Sequence, residues 1–517
     1  MELIKRSLHM EGPQISASKQ MVLEDDVIIP DTNKDADKLL LDRGKITMEE
    51  VSAGEDVVHV KGMLHFQVLY MTEGDKGGNV SKMEGNLPFE EKIQMEGVRA
   101  GEKVEVTPVL EEMTLGLINS RKVSVRALVR LNAVQEPVCE EEIPVGLSGE
   151  ETIEFRRKTL PIAALVFKNQ DVFKVKEEIE IPGSYPNIST LIYWDADISN
   201  VDFKVLENKV SIQGELKVFC MYLGEEEENE LYHYETTVPF SGSVDCPECA
   251  EGMLSQISYQ IDHCEAAIRP DYDGEDRILA VEIGMRLQMK IYEEDDLELV
   301  SDVYGVTKEV DTASKSVDFC RLHSRNTGKC KISEHFKTGV EGSNIYKVIH
   351  TMGEIQIENS TRTEQGVLIT GQVLVKILYE DSDETRRFGI IRGEIPFEYL
   401  LQVDGIPEDC RLFVCSTLEQ LAVSIIDTDE VDVKCVILFR SDVLQTWREE
   451  LVEQLNLSEP DMEKQSALPG IAVYRIKEGE SLWDIGKRYY VPISTLMQTN
   501  NLTSEEVRPG DKILIVK

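Results

Sequence analysis

The chain has 517 residues, with 55 Lys or Arg against 96 Asp or Glu and a formal net charge of −41. A surface this acidic repels phosphate backbones and anionic lipid headgroups and favours basic partners, which excludes nucleic acid and peripheral membrane binding as main activities. The 41% hydrophobic content supports packed cores and the length supports several domains. Met1–His9 has no apolar core of signal-peptide length, and no run approaches the ~20 apolar residues of a membrane helix. A cytoplasmic chain without membrane insertion is therefore expected, its ten scattered cysteines mostly buried free thiols.

Three stretches repeat one pattern. Val58–Tyr70, Val210–Tyr222 and Val367–Tyr379 each alternate with period two around a central glycine, Gly62, Gly214 or Gly371, and end on a tyrosine eight residues later. Such alternation predicts long β-strands with one buried face. The glycine suits a bulge or a close backbone approach. An isoleucine precedes each glycine by 16 residues (Ile46, Ile198, Ile355), and a Pro-Phe pair follows at Pro88-Phe89, Pro239-Phe240 and Pro396-Phe397. A later alternating strand closes each unit, at Val123–Leu131, Leu279–Ile291 and Val431–Phe439. The glycines lie 152 and then 157 residues apart, which predicts three tandem β-rich units over 1–165, 166–338 and 339–455.

The acidic runs Glu225–Glu230, Asp271–Asp276 and Glu293–Asp296 are expected at solvated hairpin tips, since none has the ligand spacing of a calcium loop. Cys246 and Cys249 have C-x-x-C spacing, but a second such pair is missing, so neither zinc nor redox chemistry is expected of them. The chain has no P-loop, H-E-x-x-H or G-x-S-x-G motif. No catalytic residue, metal ligand or cofactor is assigned, and a non-enzymatic protein is expected. Leu444, Trp447, Leu451 and Leu455 fall at spacings of three, four and four, which predicts a helix that straps the third unit. The segment 456–471, with Pro460, Pro469 and Gly470, reads as a flexible linker that leaves the C-terminal module independent.

That module, 472–517, reads as a small β-α-α-β domain. Ser481 is placed as the N-cap of a first helix with Leu482, Ile485 and Tyr489 on one face. Pro492 opens a second helix that stops at Asn500-Asn501, and Pro509-Gly510 leads into a strand with Ile513 and Ile515 inward. With Tyr474, Gly479, Leu496 and Leu502, these positions resemble the LysM pattern. The resemblance implies a shallow groove for N-acetylglucosamine chains, formed by Gly479, Glu480, Ser481 and Leu482 on one side and Leu502, Pro509, Gly510 and Ile513 on the other. Gly486 stands where alanine is usual. Glycine inside a helix costs roughly 1 kcal/mol against alanine, so Gly486 weakens the first helix unless a partner packs closely on it. Trp483 and Lys487, four apart, share a helix face offset from the core positions and pair an aromatic with a cation, a combination suited to protein docking.

The V-x-I-x-G-x-L-x-V strands, the Pro-Phe pairs and the stretch Val300–Tyr304 resemble the SPOCS domain of spore-coat proteins. Followed by one LysM module, they resemble the SipL-type family of spore-envelope morphogenetic proteins. The resemblance implies a mainly β scaffold in the mother-cell cytoplasm. Its implied partners are the SpoIVA-like coat ATPase at the forespore surface and other spore-coat proteins. The alternatives are a peptidoglycan or cortex binder and, less favoured, a cell-wall hydrolase targeted by its LysM module.

Overall fold

The computed structural model describes residues 2–72, 80–149, 153–225, 230–383, 387–459 and 468–517. Each long alternating strand is the centre of an antiparallel three-stranded sheet. Val57–Thr72 lies between Ala36–Gly54 and Val80–Gln94, Lys209–Gly224 between Ile188–Leu206 and Leu231–Asp245, and Gly366–Asp381 between Ile345–Thr363 and Phe388–Gln402. The closing strand of each repeat centres a second sheet. Lys122–Gln135 lies between Ile15–Ile28 and Glu105–Asn119, Asp276–Gly305 between Leu254–Pro270 and Ile153–Glu180, and Glu430–Ser458 between Glu309–Lys337 and Cys410–Asp427. Alternate residues of the two sheets share one core, as Val58, Val60, Leu64 and Val68 do with Val123, Val125 and Val129. The molecule is therefore mainly β, with three repeated two-sheet units and a C-terminal β-α-α-β unit.

The repeated residues explain one another. Gly62, Gly214 and Gly371 stand directly opposite Phe89, Phe240 and Phe397 on the next strand. A Cβ on Gly62 would lie 2.5 Å from the Phe89 ring, one on Gly214 2.6 Å from the Phe240 ring, and one on Gly371 2.9 Å from the Phe397 ring. The glycine is thus a seat for the phenylalanine of the Pro-Phe pair, a side-chain contact that the sequence did not point to, while the anticipated backbone approach is made at Gly62 by Thr47 O and at Gly371 by Gln356 O. The pairing irregularity lies in the preceding strand, between Met48 and Glu50, Ser199 and Asp202, and Ile357 and Asn359. The terminal tyrosine ties each unit to the turn 36 residues before it. Tyr70 donates to Lys34 O (3.1 Å), Tyr222 donates to Pro186 O (3.3 Å), and Tyr379 and Ser343 share a hydroxyl hydrogen bond (3.0 Å).

The units meet rather than forming a loose row. Leu69, Met221 and Leu378, each seven residues past its glycine, pack in one cluster with Leu41 and Tyr193. The position equivalent to Leu41 and Tyr193 in the third unit is His350, also buried, which stacks on Phe219 at 3.9 Å. Its two ring nitrogens lie 3.2 Å from Asp195 and 3.2 Å from Glu235, both of the second unit, and Asp195 pairs with Arg43 of the first. A second shared cluster joins Leu8, Met10 and Ile143 to Leu160, Leu297, Val317, Phe319 and Leu451.

Three expectations are corrected. Leu444, Trp447, Leu451 and Leu455 lie in the strand Glu430–Ser458, which pairs along its length with Glu309–Lys337. They do not form one stripe: Leu444 packs with Leu165 and Tyr292, Trp447 and Leu451 with Phe319, and Leu455 with Val300 and Val303, so the strand is buried by three different neighbours along its length. Long-range pairing here overrides a helical period. Glu293–Asp296 is no hairpin tip but the middle of the strand Asp276–Gly305, where Asp295 pairs with Arg6 at 2.6 Å. Cys246 and Cys249 are bonded to each other, not free. Of the remaining thiols, Cys220, Cys330 and Cys435 are buried and the other five half-buried. Asp271–Asp276 does form a tip, with Asp271 accepting from the backbone of Asp273 and Glu275 and Tyr272 fully exposed. Glu226–Asn229 lies outside the described residues, as do residues 460–467 of the expected linker.

Candidate functional site

The C-terminal module consists of the antiparallel strands Ile471–Arg475 and Lys512–Val516 and two helices, α1 (Leu482–Tyr489) and α2 (Ile493–Thr499). Ser481 caps α1 in a capping box. Its hydroxyl accepts from the Asp484 backbone N–H, and the Asp484 carboxylate accepts from the Ser481 N–H at 2.8 Å. Asn500 closes α2 onto the last strand through a two-way amide pair with Leu514, at 2.7 and 2.8 Å. Leu482, Ile485, Leu496, Ile513 and Ile515 are buried between helices and sheet.

Among the groove positions, the two turns are open and the apolar side chains are not. Gly479 (φ +81°) and Pro509 are exposed, and Gly510 (φ +97°) is half-buried. Leu482 and Ile513 are core residues, and Leu502 packs against the same cluster. Glu480 accepts from the Lys477 N–H, Tyr474 and Arg488. The Lys477 N–H leads in holding its carboxyl down to about 2, with Arg488 and Tyr474 adding to it against a desolvation cost. It is therefore anionic and occupied within the module.

The outward face of α1 is covered by the chain itself. The Trp483 indole N–H donates to Asp302 Oδ2 at 2.8 Å, and Lys487 Nζ lies 2.7 and 2.8 Å from the two oxygens of the same carboxylate. Burial alone would raise the Asp302 carboxyl. Hydrogen bonds from Lys487, Trp483 and the Val303 N–H, with the Lys487 charge, outweigh it and hold the group below its usual value. Two residues on, Tyr304 meets Trp483 edge-on at 4.8 Å, and its hydroxyl donates to Val491 O at 2.9 Å. Tyr304 passes directly over Gly486, where a Cβ would lie 2.6 Å from its hydroxyl oxygen. Tyr490 adds a hydrogen bond to Glu309 at 3.0 Å.

Trp483 and Lys487 thus do share a face and do converge on one acceptor, and that acceptor lies in the second β unit. The expectation of a freely moving module is corrected by this contact. Asp302 and Tyr304 had no role assigned from sequence, although Val300–Tyr304 stood out as a stretch. The signal that pointed to them was Gly486, whose missing side chain called for a close neighbour.

A second candidate place is a cavity of about 2040 Å³ where the three units meet. Lys45, Asp197 and Glu354, each 17 residues before its glycine, line it together. Desolvation pushes the two carboxyls up and the ammonium down. The charge of Arg43 partly offsets the rise of both carboxyls, and the buried Lys45 Nζ has no hydrogen-bond partner among the described residues. Among the described residues no group of three or more His, Cys, Asp or Glu is placed to hold a metal, and no helix is long and apolar enough to cross a membrane.

Comparison with known proteins matches the family "SipL, SPOCS domain" three times, at residues 35–118, 187–269 and 344–426. Each match falls on the sheet built around a repeat glycine and the strand that follows it. The LysM domain family matches residues 474–516. Both are binding or structural modules. A protein of Bacillus subtilis (strain 168), "Uncharacterized protein YkzQ", is 40% identical over 43 residues, 8% of this chain and 57% of that protein's length. No solved structure matches.

Proposed function

We propose, from a chain that is a SipL-type protein of three SPOCS domains ending in a LysM domain, that it is a non-enzymatic adaptor of spore-envelope assembly. It works in the mother-cell cytoplasm and gathers on the forespore by docking onto a SpoIVA-like coat ATPase, while its acidic β units recruit further coat proteins. The observation that carries the docking assignment is the convergence of Trp483 and Lys487 on a single carboxylate. An indole donor beside an ammonium, backed by an aromatic contact, is protein-recognition chemistry. Peptidoglycan is the second reading, supported by the two open turns at Gly479 and Pro509-Gly510. In it Gly479, Glu480, Ser481, Leu482, Leu502, Pro509, Gly510 and Ile513 form the groove, with the buried members shaping its floor.

The test is capture of the full chain and its Lys487→Glu variant on immobilised coat ATPase and on insoluble peptidoglycan. The expected result is binding to the ATPase that falls at least about tenfold in the variant, a loss typical of a hot-spot residue. Retention on peptidoglycan alone, equal for both chains, would transfer the function to the glycan groove.

A further inference from the structure

Asp302 and Tyr304 are two apart on one strand, so both side chains leave the same face. Between them they meet the indole N–H of Trp483, the ammonium of Lys487 and the carbonyl of Val491. The recognised features are few: a carboxylate and, two positions on, a phenol, both carried by one extended segment. The surface is shaped for the phenol, since α1 passes beneath it at Gly486 and a Cβ there would lie 2.6 Å from the hydroxyl oxygen, too close to be tolerated. Both groups come from one extended segment, held straight by pairing with Glu154–Arg156, and a strand of another protein can present the same two groups.

We infer that the outward face of α1 is a receptor for extended Asp-x-Tyr segments, that Asp302–Tyr304 is its resident occupant, and that a docking partner enters by offering an Asp-x-Tyr strand in exchange. This rests on the reading that Trp483 and Lys487 dock a protein. It adds the chemistry of the partner and makes the resident segment a competitor. The competition has a quantitative signature, because the apparent affinity of an incoming segment falls in proportion to the fraction of chains whose face is open. The near-neutral module also suits the exchange. Residues 472–517 carry seven Lys or Arg against six Asp or Glu in a chain of net −41, so an acidic segment is repelled least there.

The probe is a fluorescently labelled peptide of residues 299–306, titrated into the full chain and followed by anisotropy. Asp302→Asn with Tyr304→Phe keeps the shape of the resident segment while removing its charge and its hydroxyl. This chain should bind the peptide roughly tenfold tighter than wild type, as expected when the open fraction rises by that factor. Adding Lys487→Glu should abolish the gain, and a peptide with the same two replacements should not bind. Equal binding to wild-type and released chains, or none to the released chain, overturns the inference. Should the double variant not fold, excess peptide carrying a quencher decides the matter on the wild-type chain: displacement must quench the part of the emission that is lost in Trp483→Phe, and no quenching counts against the receptor. The coat ATPase capture separates the two readings. Capture lost in Lys487→Glu but not improved in the released chain retains the docking face and removes the competition. Capture indifferent to Lys487→Glu removes the docking face as the ATPase site, while the peptide titration still judges the receptor.

Discussion

At the residue scale, the contact between module and β units hangs on one ionised group. Asp302 is only partly buried, and its carboxyl lies below its usual value near 3.8 because Lys487, Trp483 and the Val303 N–H stabilise the anion more than desolvation disfavours it. A carboxyl depressed in the folded state contributes stability that is fully present above its unfolded value and is lost as pH falls through the folded one. The contact should therefore be unchanged from neutrality down to about pH 4 and should weaken only below it. The emission of Trp483, taken as the difference between wild type and Trp483→Phe, checks this. Asp484, also depressed through its bonds to Ser481, titrates in the same acidic range and frays α1. Asp302→Asn separates the two: it should lack the step that belongs to the contact and keep the one that belongs to the capping box. A transition centred near pH 6 would mean that a histidine and not Asp302 governs the contact.

At the scale of elements, what sequence disclosed was what local period and local chemistry determine. Alternation around Gly62, Gly214 and Gly371 was enough to read three strands, and the Ser481 cap with its apolar stripe was enough to read α1. Trp483 and Lys487 were legible as a pair because four residues make one helical turn. Their acceptor was not, because Asp302 is 181 residues from Trp483 and no local rule links them. The helical period at Leu444, Trp447, Leu451 and Leu455 misleads for the same reason, since the residues that bury them, among them Leu165, Phe319 and Val300, are distant in the chain. The glycine and Pro-Phe motifs recurred together without disclosing that one seats the other. That seating makes a prediction. Gly214→Ala should cost about 1–3 kcal/mol through overpacking against Phe240, seen as a lowered thermal midpoint of the transition containing the second unit. In Phe240→Leu, where the ring is gone, the same change should cost much less. Equal costs in the two backgrounds would show that backbone conformation, not the ring, requires the glycine.

At the scale of the whole molecule, a strongly acidic chain holds its three units together by spending its few cations at the seams. Glu11 of the first unit, nearly buried, lies 2.8 Å from Lys290 of the second and 3.1 Å from Arg411 of the third. Asp42, 4% exposed, binds Lys376 at 2.5 Å and Arg392 at 2.6 Å, both from the third unit, and the two cations also donate to Asp42 O and Leu40 O. Burial would raise the Asp42 carboxyl, but Lys376 and Arg392 outweigh it and keep the group ionised. Removing one partner of such an arrangement leaves the others uncompensated, which typically costs 3–5 kcal/mol. Asp42→Ala should fall near the lower end, at about 3 kcal/mol, because the Arg392 side chain is 48% exposed and can be rehydrated. The loss should appear as separation of one cooperative unfolding transition into two, since the first unit loses one of its polar ties to the third while each keeps its own core. Replacing all three groups together, Asp42→Leu with Lys376→Met and Arg392→Met, should restore much of the stability, because an apolar seam of similar volume carries no desolvation cost. If Asp42→Ala leaves unfolding in one transition at an unchanged midpoint, the apolar cluster of Leu69, Met221 and Leu378 is sufficient by itself to unite the units.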